Sequence, residues 1–287
     1  MTGYSTIEYE TADQVARIWM NRPKTHNAQN ELMLAELEAA FAAAAADPDV
    51  RVIVLAGRGR SFSSGHDLKR TVEGAAAEQD IIELRKTAEG RLKHEYGSFY
   101  RHALTIRNVP KPTIAQVHGH CIAAGLMLAA MCDLIVAGRG ASFSNPVLRM
   151  GALGVEVLVE PWELGVRKAK EFLFLGDSLT AAEAKDLGLV NRVVADEELT
   201  AEVDTLAQRI ATLPPVAARL MKQSLNATYD AMGQQQSWTY HFMTHQLSHA
   251  TDEYQQIIAP KDGRKLKDFL AVRDAGASGH TAEGMTG

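Results

Sequence analysis

The sequence predicts an α/β fold, either a right-handed βα superhelix or a doubly wound sheet, and three observations carry that prediction. Val50 to Ala56 (Val-Arg-Val-Ile-Val-Leu-Ala) is a near-continuous β-branched run, as expected of a strand buried on both faces of a sheet. Thr113 to Val117 repeats that character and leads into His118 to Asp133, where small residues stand at the point a strand would turn into an apolar helix. Leu134 to Ala137 then offers a further short buried strand.

Taken in order, Ile7 to Glu10 and Val15 to Met20 read as two strands joined by a hairpin turn over Thr11 to Gln14. Asn21-Arg22-Pro23 ends the second strand, because proline lacks a donor and restricts the residue before it. An Ala- and Leu-rich helix spans about Asn30 to Ala46 and stops at Asp47-Pro48. The strand from Val50 feeds a Gly- and Ser-rich loop, Gly57 to Lys69. Ala75 to Asn108 reads as one or two charged amphipathic helices, ended by Pro110 and Pro112. Thr180-Ala181-Ala182-Glu183 has the pattern of a capping box, and Val190 to Val194 suits a last strand. From Asp196 to Phe269 the chain reads as helix broken at Pro214-Pro215, Gly233 and Pro260. The expected organisation is a core over 1–195, a helical region over 196–273 and a disordered tail over 274–287.

The 287 residues suffice for one large domain or two modest ones. A formal net charge of -5 gives no global basic footprint, which argues against nucleic acid or an anionic membrane as a partner. The longest apolar run, Cys121 to Cys132, is shorter than the roughly twenty residues that span a bilayer. Met1 to Glu10 lacks the order of a signal peptide, and the two cysteines lack a metal or disulfide spacing. These features suit a cytoplasmic protein with reduced thiols.

Several stretches, in order, resemble the crotonase superfamily of enoyl-CoA hydratases and isomerases. They are Asn21-Arg22-Pro23 with Asn27-Ala28, Val52 to Gly57 with Phe62 to Leu68, Pro110 to Gly119, Met131 to Ile135, and Leu175-Gly176 with Ala181, Ala184 and Gly188-Leu189-Val190. The resemblance implies a ββα spiral core, a helical C-terminal region that assembles a homotrimer or dimer of trimers, and a coenzyme A thioester as substrate with no further cofactor. It also implies an oxyanion hole of two main-chain N–H groups, which residue by residue fall on His66 and Ala124. A strand, a small-residue turn and a helix start suit that task, since they aim backbone donors at negative charge.

The two glutamates of the family's hydratases fall on Met127 and Val147, neither of which carries a proton. Glu156 is the expected substitute acid or base, with a pKa raised by its apolar neighbours, and Glu160 is a weaker candidate. Candidate contacts to the thioester and nucleotide are Lys24, His26, Ala28, Ser64, Asp67, Leu68 and Lys69, and basic Arg58, Arg60 and the run Lys261, Arg264, Lys265 and Lys267 could meet phosphates. Met127, Val147, Met150 and Leu153 suggest an apolar acyl pocket. His118 and His120 lack convergent partners, and His241, His245 and His249 read as a polar helix face, so no metal is expected. The leading expectation is an acyl-CoA enzyme with an enolate-like intermediate; the alternative is a silent acyl-CoA binder.

Overall fold

The computed structural model describes residues 3–67, 80–81 and 83–258. Strands β1 (Ile7–Ala12) and β2 (Val15–Met20) form an antiparallel hairpin. The turn is shorter than expected, because Thr11 and Ala12 still pair with Ala16 and Val15. Only Asp13 and Gln14 remain to turn the chain, and both take positive φ, 49° and 65°, as the tightest hairpin turns require.

Helix α1 (Glu31–Ala46) starts where the Asn30 side chain accepts the Met33 N–H. Strand β3 (Val52–Gly57) lies between β2 and β4 (Thr113–Val117), and Val52 to Ala56 are buried, as its composition demands. Between them stand α2 (Ala88–Glu95), a π-helical turn over Tyr96–Tyr100 and α3 (Arg101–Asn108). After β4 come β5 (His120–Ile122), α4 (Ala124–Ala130), β6 (Leu134–Gly138) and β7 (Ser142–Ser144). The chain continues through α5 (Glu160–Glu163), α6 (Val166–Leu175), β8 (Leu179–Thr180), α7 (Ala181–Asp186) and β9 (Arg192–Val194). It then runs helically through α8 (Leu199–Ala211), α9 (Pro215–Ala231), α10 (Gln234–His249) and α11 (Asp252–Ile258). The capping box at Thr180 is present in full: its hydroxyl accepts the Glu183 N–H, and the Glu183 carboxylate accepts the Thr180 N–H.

The strands sort into two sheets. The larger has the order β1-β2-β3-β4-β6-β9, parallel throughout except for the first pair. The smaller has the order β5-β7-β8, and single-residue bridges Ser63 to Cys121 and Gln29 to His66 extend its ladder. Each turn of the spiral thus supplies a long strand to one layer and a short segment to the other before a helix follows. The expected ββα repeat is this two-layer staircase. Strands β5, β7 and β8 have only two or three residues each, which leaves no periodicity to read.

The large sheet is covered on both faces. Ile18, Ile53, Leu55, Ala115 and Ile135 join the main core with α1, α3 and α4. Val15, Val52, Val54, Ile114 and Val136 pack instead against Leu199, Val203, Leu206 and Ala207 of α8. Among the described residues, no helix is long and apolar enough to cross a membrane.

Candidate active site

The site is assembled where the segment that follows β3 pairs with β5 on one side and with the stretch before α1 on the other. The Ser63 N–H donates to His120 O at 3.1 Å, the Ile122 N–H to Ser63 O at 2.9 Å, and the Ala123 N–H to Ser144 O at 2.8 Å. On the other side, the Gln29 N–H donates to Gly65 O at 2.8 Å and the Asp67 N–H to Gln29 O at 3.0 Å. This parallel pairing uses the neighbours of His66 and leaves its own N–H pointing away from Gln29.

Two glycines allow the segments to meet. Gly65 has φ +89°, and a Cβ there would lie 2.9 Å from Ile122 O and 3.2 Å from Ala124 N. A Cβ on Gly125 would lie 2.5 Å from Ser63 O. The segment Gly65–His66 therefore rests directly against the start of α4. Ala124 opens that helix, where an N–H has no intrahelical acceptor. Among the described residues, neither the His66 nor the Ala124 N–H donates to a protein acceptor. The backbone is strained at the preceding residue, Ala123, whose φ of 50° and ψ of -112° belong to glycine.

Behind this shelf lie buried titratable side chains. His66 Nε2 stands 3.0 Å from Glu156 Oε2, and its ring lies on Phe99 at 4.2 Å. The expectation for Glu156 needs correcting. Burial does push its pKa up, but the charge and hydrogen bond of His66, with His245 further off, outweigh burial and hold it below the ordinary carboxylate value. A Glu156 kept ionised accepts the His66 Nε2–H. His66 Nδ1 is buried without a protein partner among the described residues. His102 is 2% exposed, both its ring nitrogens lack such partners, and burial, with the His66 and Arg101 charges, pushes its pKa down to about 4.

Glu160 is also buried, takes a hydrogen bond from Asn145 Nδ2 at 2.6 Å, and burial raises its pKa. Burial and the Glu160 charge push Glu163 up to about 7. The histidine stripe differs from its expected polar surface: His241, His245 and His249 are all buried, facing α2 and the Val155 carbonyl. His118 Nε2 donates to Gly59 O at 2.9 Å. Both cysteines are free and buried, and burial pushes the Cys132 thiol up to about 12.

Of the expected ligand contacts, Ser64 joins His26 through its N–H at 2.9 Å, and His26 Nδ1 meets Ser61 Oγ at 2.9 Å. Asp67 is paired with Arg22 at 2.8 Å, and Arg22 also donates to the carbonyl of buried Ala28. Lys24 is exposed in the turn Pro23–Thr25. Arg58 is engaged by Glu8 at 2.5 Å and by the Trp19 ring at 4.1 Å. The proposed acyl lining occupies three settings. Met127 is sealed in the core, Val147 and Met150 are half-buried in one turn, and Leu153 is exposed. Leu68, Lys69, Lys261, Arg264, Lys265 and Lys267 lie outside the described residues.

Residues 10–265 match the family described as enoyl-CoA hydratase/isomerase. The chain belongs to the enoyl-CoA hydratase/isomerase family. A solved structure of a probable enoyl-CoA hydratase from Mycobacterium smegmatis is 46% identical, covering 85% of this chain and 94% of its own, with a TM-score of 0.78. An enoyl-CoA hydratase/isomerase from Xanthobacter autotrophicus Py2 is 33% identical over 95% of this chain and 98% of its own, with a TM-score of 0.83. A Mycobacterium tuberculosis protein provisionally named enoyl-CoA hydratase EchA13 is 42% identical over 267 residues, covering 86% of this chain and 81% of its own. These relatives carry the crotonase fold expected from the motifs. Within this enoyl-CoA hydratase/isomerase chain, sequence reasoning passed over Glu95, Phe99 and His102. Their one signal was the density of aromatic and titratable residues between His94 and His102.

Proposed function

We propose that the protein is an acyl-CoA thioester enzyme in which the His66 and Ala124 N–H groups hold the thioester oxygen and the His66 imidazole moves the proton. The observation that carries this reading is the pair of main-chain donors that no acceptor among the described residues claims, with Gly65 closely approaching Ala124. An oxygen in that position gains negative charge as an α-proton leaves, and each fixed donor stabilises it by about 3 kcal/mol. The enolate is the state that the shelf favours.

Glu156 acts through His66 as a positioning residue. Accepting the Nε2–H fixes the tautomer of the neutral ring and leaves the Nδ1 lone pair to take the proton. One base that removes a proton and returns it two carbons away suits double-bond migration. Hydration by two glutamates does not suit Met127 and Val147.

The exposed apolar residues Val216, Leu220, Met221 and Leu225 of α9, with Tyr240, Met243 and Leu247 of α10, support assembly into a homotrimer or dimer of trimers. Sedimentation equilibrium tests that assembly.

The test of function is a mass-spectrometric and NMR turnover screen over enoyl-, β-keto- and cyclic acyl-CoA thioesters. Wild type, His66→Ala and Glu156→Gln are run side by side with thioester binding measured for each. His66→Ala keeps the N–H and loses the ring, so turnover should fall at least a hundredfold with binding changed less than threefold. Unchanged turnover in His66→Ala would remove the imidazole from the mechanism. Binding with no turnover by wild type on any thioester would identify a silent acyl-CoA binder, the reading that the loss of acids at Met127 and Val147 favours.

A further inference from the structure

We propose that Glu95, His245 and His249 form a binding site for one divalent transition metal ion, zinc by preference, behind the thioester site. His245 and His249 are four residues apart on α10, so they share one face of the helix. Glu95 is the last residue of α2, which α10 packs against. All three side chains are buried, with Glu95 1%, His245 4% and His249 5% exposed.

Without an ion the two histidines share a hydrogen bond between their Nε2 atoms, and the same separations suit an ion held by all three side chains. His245 Nε2 and His249 Nε2 are 3.1 Å apart, and Glu95 Oε2 stands 3.4 Å from the first and 3.7 Å from the second. Contacts of 3.4 and 3.7 Å exceed the ordinary hydrogen-bond range, so the carboxylate oxygen faces two ring nitrogens without a good bond to either. Three atoms with those separations lie on a circle of radius about 2.0 Å, and an ion about 0.7 Å off their plane would stand about 2.1 Å from each, the distance and offset of tetrahedral zinc. A water molecule completes the fourth position.

The surroundings orient these ligands. Arg85 Nη2 holds Glu95 Oε1 at 2.6 Å, which turns Oε2 toward the histidines, and Gln246 Nε2 donates to Oε2 at 2.6 Å. The Tyr254 ring lies edge-on to His249 at 4.5 Å. Two neutral imidazoles and one carboxylate suit zinc, cobalt or a similar ion, whereas magnesium and calcium prefer oxygen alone. The ion would tie α10 to the end of α2, from which the π-helical turn carries Phe99 under His66.

The test uses the full chain without an affinity tag, stripped with chelator and titrated with Co²⁺. The expected result is one equivalent of Co²⁺ with the visible bands of a tetrahedral site, displaced by Zn²⁺, and a higher melting temperature with Zn²⁺ than with chelator. His249→Gln and Glu95→Gln should each weaken binding at least tenfold, while His118→Gln/His120→Gln should leave it unchanged. The two ligand variants change one contact each, and circular dichroism identifies whichever stays folded for the comparison. Absence of the bands in wild type, their persistence in a folded ligand variant, or their loss in the His118/His120 variant would overturn the site.

Discussion

The shelf formed by Ser63–His66 and Ala123–Ala124 and the side-chain cluster behind it share His66 but answer to different physics. The shelf presents main-chain donors whose positions follow from ladder pairing and two close-packed glycines. Alanine serves at position 124 as glycine would, because the main-chain N–H is the same. The cluster of Glu156, His102, Glu95, His245 and His249 depends on side chains, and each charge there depends on its neighbours. A site built this way can keep its grip on a thioester while its proton chemistry drifts. On the proposed reading, backbone geometry conserves binding and side chains decide the reaction.

If that division holds, breaking the shelf sterically should have the largest effect. Gly125→Val would drive a branched side chain into the Ser63 carbonyl, 2.5 Å from the Cβ position, and should cost about 3 kcal/mol or more while abolishing thioester binding. Urea melts and acyl-CoA titration measure both. A variant that still binds normally would show that Ser63 and α4 need not touch.

The cluster should reveal itself through pH. His102 has a pKa of about 4 when folded against an ordinary 6.5, so below pH 6.5 the unfolded chain takes up a proton that the folded chain refuses. Its contribution to stability is present above 6.5 and is lost as pH falls toward 4. Between pH 7 and pH 5 that loss is about 2 kcal/mol. Glu163, raised to about 7, works in the opposite sense over part of this range, so the comparison must be with a variant. His102→Leu should flatten the fall by about that amount in urea unfolding at the two pH values; an identical slope would show that His102 finds a partner for its proton.

The smallest effect belongs to the strained residue of the shelf. Ala123→Gly should relieve the φ of 50° and stabilise the fold by about 1 kcal/mol, with thioester affinity unchanged. Calorimetric melting and a binding isotherm check the two halves of that expectation. A loss of affinity would mean that alanine holds the donors more rigidly than glycine can.

The features legible in the sequence were those written in neighbouring residues. The β-branched run of β3 and the Thr180 capping box emerge as expected because strand burial and a helix start are local properties. The motifs around Gly65 and Gly119 marked the segments that the ladder brings together. The strain at Ala123 was not legible, since alanine gives no sign of a positive φ. Nor was the ionised state of Glu156, which depends on a histidine 90 residues away. The histidine stripe of α10 was visible as a spacing, but its burial requires Glu95 and Gln246 to meet across 151 residues.

Those long separations bear on when the protein gains its site during synthesis. A nascent chain that has emerged as far as Val117 holds every residue of β1 to β4, and can begin its sheet. It then has Gln29 to pair with His66, but no Ala124 to complete the shelf and no Glu156 to orient the imidazole. The ribosome must deliver a further 39 residues beyond Val117 before the ring of His66 can meet its carboxylate. Completion of the candidate site is therefore a late event in the life of the chain.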